Sequence, residues 1–243
     1  GVLHRPALEQ ALALLVERHP MLRTVYRRAA DGSAQQRVLE NFAFAVEFHA
    51  DPAQQDAVLQ AARIRPFDLT HDLMLRACLL RIGPQSHILS LTVHHIAADG
   101  WSVGILVREL MALYPAFASG QQPVLTPPGG DYGDWCWQHE QVAAQKRYPA
   151  QLEYWLQQLR DLPECHALPL DRSRADAAAF CGQSWYSQVS RERLEQLNFA
   201  ARQQGVTLFM QLQTALAVLV ARLAGGADDG GCQDVAIGAA YAN

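Results

Sequence analysis

An α/β fold arranged in two lobes is what this sequence predicts, and three observations carry the prediction. Strand-like and helix-like periodicities alternate along the chain. Two apolar runs, 73–82 and 87–94, are separated by Gly83-Pro84, the pattern of a hairpin inside a sheet. Between 161 and 182 the periodicity fades into a connector containing Pro163 and Pro169, where the lobe boundary is placed. A chain of 243 residues is long enough for one large or two modest cores.

The elements follow in order. Pro6 suits the first turn of a helix whose Leu8, Leu12 and Leu15 share one face, ending near His19-Pro20. Residues 22–26 read as a strand, Asp31-Gly32 as a turn, 36–48 as further strand and 52–64 as a helix. After the hairpin, 101–117 is helical in pattern, followed by a loop rich in Pro and Gly (Pro123, Pro127, Pro128, Gly129, Gly130). Asp131 is placed to cap a long helix reaching about Leu159, with Trp135, Tyr148 and Trp155 assigned to the core. Beyond the connector come a strand at 184–190, a helix from Arg191 to Gly205, a helix at 208–223 capped by Thr207, and a last strand at 234–239. The loop 225–231 is rich in Gly and Asp, and no internal repeat is visible.

Composition narrows the function classes. Half of the residues are apolar, 18% are charged and the formal net charge is −4, so no basic face is expected for nucleic acid. No run of 18 apolar residues suggests a membrane span, and the opening Gly1-Val2-Leu3-His4-Arg5 does not read as a signal peptide. Five cysteines (Cys78, Cys136, Cys165, Cys181, Cys232), with no Cys-x-x-Cys pair, argue against a disulfide framework or zinc knuckle. They fit a reducing cytoplasm, most of them as small core residues.

The densest chemistry lies at 94–100, His-His-Ile-Ala-Ala-Asp-Gly, where an apolar strand gives way to a helix. Side chains alternate along a strand, so Ser90, Thr92 and His94 share one side, and Leu89, Leu91 and Val93 the other. His94 and His95 then point in opposite directions, and periodicity does not say which one meets a cavity. An imidazole there could act as base near neutral pH. Asp99 could cap the next helix or pair with a buried arginine. Gly100 permits unusual backbone geometry, and its N–H could approach an oxyanion. Ser102 could donate a hydrogen bond or simply cap. A structural role weighs about equally with catalysis on these residues alone. Metal binding by His94, His95 and Asp99 is the weaker reading, because alternation splits the histidines and no Cys/His cluster completes a shell; no metal is assigned.

Val93-His94-His95-Ile96-Ala97-Ala98-Asp99-Gly100-Trp101-Ser102 resembles the active-site motif of condensation domains of nonribosomal peptide synthetases. Glu17 to Tyr26 (Glu-Arg-His-Pro-Met-Leu-Arg-Thr-Val-Tyr) resembles the upstream Arg-His-x-x-Leu-Arg-Thr motif of that family. Pro66-Phe67-Asp68-Leu69, Tyr132-Gly133-Asp134-Trp135, Leu168-Pro169-Leu170-Asp171-Arg172 and the stretch 205–223 extend the likeness over nearly the whole chain. Pro20 replaces a common Glu, Trp137 is one residue short of the usual spacing, and 237–243 match the next motif loosely.

The resemblance implies a chloramphenicol acetyltransferase-like fold, with a tunnel between lobes where the amine of a carrier-bound aminoacyl thioester attacks a carrier-bound acyl thioester. It implies His95 in the tunnel, His94 and Asp99 supporting the loop, and Arg23 as partner of Asp99; the Gly100 amide is a candidate for orienting the thioester. It implies further that no cofactor is bound directly and that phosphopantetheine arms of carrier proteins deliver the substrates. The partners implied are upstream and downstream peptidyl carrier proteins and an adjacent adenylation domain, with no nucleic acid and no membrane. Residues 1–170 are expected to form an N-terminal acyltransferase-like lobe without its first strand, and 171–243 the beginning of a C-terminal lobe. Such a fragment is expected to be inactive in isolation. Epimerisation domains, stand-alone acyltransferases and a non-catalytic carrier-docking domain are the competing readings.

Overall fold

The computed structural model describes residues 2–127, 129–144, 147–162, 168–171, 185–224 and 234–239. The chain divides into two compact units, Gly1–Gln145 and Lys146–Asn243.

In the first unit, α1 (Arg5–Arg18) starts where His4 Nδ1 accepts the Ala7 N–H at 3.1 Å, with Pro6 in the first turn. Ala7, Leu8, Ala11, Leu12, Leu15 and Val16 form its buried stripe, the i, i+4 spacing read from sequence. A 3₁₀ turn at Pro20–Arg23 precedes β1 (Thr24–Arg28), so the predicted strand begins two residues late. β1 pairs antiparallel with β2 (Ala34–Val38). In the turn between them Asp31 Oδ1 accepts from the Ser33 amide and hydroxyl, and Gly32 takes φ +83°.

The strand expected over 36–48 is two strands with different partners. β2 ends in the β1 ribbon, whereas β3 (Val46–His49) lies parallel to β4 (Leu75–Arg81) in a second sheet. Periodicity has no term for a change of partner, so it does not reveal the join at 39–45. The helix expected at 52–64 is a 3₁₀ turn, Pro52–Gln54, leading into α2 (Gln55–Ile64). β4 and β5 (His87–Val93) form the antiparallel hairpin that Gly83-Pro84 announces, with Leu75 opposite Val93 and Cys78 opposite Ser90. The sheet order is β3-β4-β5.

α3 (Gly100–Ala118) and α1 pack together over one face of that sheet. Leu8, Leu12, Leu15, Leu106, Leu110 and Leu113 meet Val46, Leu75, Ala77 and Leu79 in one cluster. Removing such side chains from water is the dominant favourable term in folding, roughly 1.5–3 kcal/mol for each large residue. This core holds β5 and α3 against each other.

The long helix expected over 131–159 is described as α4 (Tyr132–Ala144) and α5 (Arg147–Gln158). Asp131 caps as expected, its Oδ1 accepting the Asp134 N–H at 2.8 Å. The core assignment fails for Trp135 and Trp155, which are 51% and 56% exposed; Tyr148 is half-buried. Trp135 stacks between Tyr132 and His139, three residues back and four ahead. An aromatic ladder on one helix reproduces the spacing of a core stripe without a neighbouring element. Of the cysteines expected in the core, Cys78 is buried and Cys136 half-buried; the other three lie outside the described residues.

In the second unit, Ser190 Oγ caps α6 (Arg191–Gln203) and Thr207 Oγ1 caps α7 (Leu208–Leu223), each accepting an amide at 3.2 Å. Between them Gly205 takes φ +67°, with Gly205 N–H on the Arg202 carbonyl and Val206 N–H on the Ala201 carbonyl. That is a Schellman ending, and it requires the glycine. The expected strands at 184–190 and 234–239 are not strands where described; residues 185–190 and 234–239 pair in neither described sheet. Strand preference depends on a partner ladder, which Trp185, Tyr186 and Val189 cannot supply alone. The loop 225–231 lies outside the described residues. Among the described residues no single helix is long and apolar enough to cross a membrane.

Candidate active site

β5 carries the site. Leu89, Leu91 and Val93 face the α1/α3 core, so the pleat turns His94 to the opposite side and His95 back again. The His94 amide donates to the Met74 carbonyl at 3.0 Å, continuing the ladder one residue past the strand. A tight turn follows: Ala97 N–H reaches the His94 carbonyl at 3.0 Å, and Ile96 N–H reaches His94 Nδ1 at 3.0 Å. Accepting that bond leaves Nε2 to carry the proton of a neutral His94 ring. The ring packs edge-on against Phe67, centroids 5.5 Å apart at 77°.

His95 is exposed and lines a cavity of about 440 Å³ with Leu91, Val93, Asp99, Gly100 and Val103. The choice that alternation leaves open is thereby made: His95 faces the cavity, and His94 is held against Phe67. A second cavity, of about 490 Å³, lies beyond the same loop and is lined by Ala97, Ser102, Arg18, His19 and Tyr132 among others. Ala98 and Leu106 line both, so the loop after β5 forms a wall between two hollows.

Asp99 caps α3. Its Oδ1 accepts from the Ser102 amide at 2.8 Å and the Ser102 hydroxyl at 2.6 Å. Those two bonds, the hydroxyl's foremost, hold its carboxyl below the usual carboxylate range, with a smaller contribution from His95. Ser102 is thus tied to Asp99 rather than free to donate elsewhere. Gly100 needs none of the backbone freedom expected of it. Its φ lies outside the left-handed region, and a Cβ there would meet no atom within 4 Å. The glycine keeps the cavity wall bare, and its N–H belongs to the first helical turn, where amides have no partner within the helix.

Arg23 does not pair with Asp99. Its Nη1 donates to the Leu39 carbonyl at 2.6 Å, its Nε to the Glu17 carbonyl at 3.3 Å, and its guanidinium lies 5.9 Å from the Phe42 ring centroid. The α3 cap already engages the carboxylate, while Arg23 ties the 3₁₀ turn to the end of β2. Sequence reasoning does not mark Glu109, which accepts from Arg18 at 3.2 Å and contacts His19 Nε2 at 2.7 Å. A signal for it exists: an acid on the face of α3 that carries Leu106, Leu110 and Leu113 needs a partner. On the other face of the sheet the donor atoms of Glu47, His49 and Cys78 lie within 4.8 Å of one another, with Glu47 paired to Arg65.

A family model described as "Condensation domain" matches residues 1–237. CymA of Salinispora arenicola, described as a probable non-canonical nonribosomal peptide synthetase, is 40% identical over 94% of this chain. A dimodular nonribosomal peptide synthase of Bacillus subtilis is 35% identical, also over 94%. Among solved structures, the X-domain from teicoplanin biosynthesis superposes with a TM-score of 0.76 at 26% identity, over 92% of this chain. The chain spans 3% and 10% of the two synthetases and 50% of the X-domain chain.

Proposed function

The chain belongs to the condensation-domain family of nonribosomal peptide synthetases, and from that premise we propose that it carries a site where a carrier-bound aminoacyl amine attacks a carrier-bound acyl or peptidyl thioester. The observation that supports this most is the position of His95, exposed at a cavity beside the α3 N-terminus while His94 is held behind it.

The amine nitrogen adds to the thioester carbonyl carbon, and a C–N bond forms. The tetrahedral intermediate collapses with cleavage of the C–S bond, and the phosphopantetheine thiolate leaves. One amine proton must be lost, and the proposal assigns His95 to take it and pass it towards the departing sulfur. An α-amine titrates at about 7.7–8.0, so an appreciable fraction is already neutral near pH 7. Holding amine and thioester together then supplies much of the rate, and effective molarities for oriented reactants are large. The Gly100 amide is assigned to orient the thioester, and Asp99 and Ser102 hold it by fixing the first turn of α3. The upstream and downstream carrier proteins, the adenylation domain, the cytoplasmic setting and the division into lobes at 170/171 belong to the same proposal.

The test is to load carriers with donor and acceptor on the synthetase polypeptide that carries this chain, then follow the thioesters by mass spectrometry. A dipeptidyl thioester is the expected product. Inverted stereochemistry with no new bond would assign epimerisation instead, and retained carrier binding without turnover would assign docking.

A further inference from the structure

Arg76 is the second residue of β4, between Leu75 and Ala77, on the sheet face opposite the core and across from Thr92. A cation in an apolar strand, with its side chain 17% exposed, calls for an explanation. Its guanidinium is used on three sides. Nη1 donates to the Arg65 carbonyl at 2.9 Å, Nη2 to the Pro66 carbonyl at 2.7 Å, and Nη2 again to Asp72 Oδ2 at 2.7 Å. Asp72 is itself held, its Oδ2 accepting the Asp68 N–H at 3.0 Å. The guanidinium carbon lies 3.8 Å from the centroid of Phe67. Phe67 is therefore fixed through the backbone on either side of it and through its ring, and it is this ring that meets His94 edge-on.

We propose that Arg76 is a positioning residue for the active loop: it fixes Phe67 against His94, and the His94 ring, held between Phe67 and the Ile96 amide, sets the turn that aims His95 into its cavity. The catalytic half of this inference rests on the proposed role of His95; the mechanical half does not. A planar fork that binds two carbonyls and a carboxylate while lying over an aromatic ring suits arginine alone. Lysine keeps the charge beside Asp72 but loses the fork. Leucine at 67 keeps apolar volume but loses the ring, whereas tyrosine keeps it.

The experiment compares Phe67→Leu, Phe67→Tyr and Arg76→Lys by imidazole NMR on the full chain and by steady-state kinetics on the synthetase polypeptide. In Phe67→Leu and Arg76→Lys the ring resonances of both His94 and His95 are expected to move, and Phe67→Tyr is expected to stay near the parent. Turnover is expected to fall about tenfold in the first two with KM unchanged, the signature of misplacement rather than lost binding. The inference is overturned if His94 moves and His95 does not, if Phe67→Tyr is as damaging as Phe67→Leu, or if only KM changes. Should the parent polypeptide form no bond, the catalytic reading of His95 fails, and the NMR comparison alone decides whether Arg76 aims the loop.

Discussion

Helices α1 and α7 are equally well announced by sequence, yet they end in different states. Each has a side-chain cap and an apolar stripe. α1 buries six residues of its stripe, and α7 buries none, leaving Leu212, Leu216, Leu219 and Leu223 about half exposed. The comparison separates two contributions that sequence patterns blend. A cap defines where a helix starts and works wherever the helix sits; a stripe becomes a core only when other elements cover it.

The largest effect that sharpens this comparison is Leu12→Ala, expected to cost about 2–5 kcal/mol because the site is closed on all sides. Urea unfolding monitored on the full chain would measure it. A loss below about 1 kcal/mol would mean that the α1 core is far looser than such close packing requires. Thr207→Ala should cost about 1 kcal/mol through the lost amide bond, visible as faster hydrogen exchange in the first turn of α7. Leu216→Ala, in the apolar face of α7, should cost no more than about 0.5 kcal/mol on the same urea curve. If Leu216→Ala proves costlier than Thr207→Ala, something covers α7 and the contrast with α1 collapses.

The smallest effect is electrostatic. Asp68 accepts from the Thr70 hydroxyl and amide and from His71, which holds its carboxyl at about 2. A folded-state value below the unfolded one means stability fully present above the ordinary carboxylate range, near 4, and lost as pH falls towards 2. Carboxyl NMR should show this midpoint, and Thr70→Ala should raise it. The same sign applies to Asp99, whose carboxyl lies below the usual carboxylate range and so stays ionised where an α-amine titrates. Titration of Asp99 is therefore expected to leave no mark on the pH profile of the proposed bond formation.

Much of the site is legible in the sequence, because its signals are local. The Asp99 and Asp131 caps, the β4–β5 hairpin and the alternation splitting His94 from His95 all lie within a few residues of the groups they govern. What escapes a reading of the sequence depends on contacts between distant segments. Family resemblance pairs Arg23 with Asp99, but Arg23 binds the Leu39 and Glu17 carbonyls, because the α3 cap already holds that acid. Phe67 and Arg76 reach His94 across three segments that no period links. The exposed Trp135 and Trp155 mimic a core stripe, and only neighbours could reveal the difference.

The most direct test of the central claim is single-turnover bond formation by the synthetase polypeptide carrying His95→Ala, with donor and acceptor preloaded on their carriers. A fall of at least about a hundredfold, with carrier loading intact, is expected if His95 meets the reacting amine. A rate within about twofold of the parent would contradict the assignment of His95 and, with it, the reading of the cavity as the place where the bond forms.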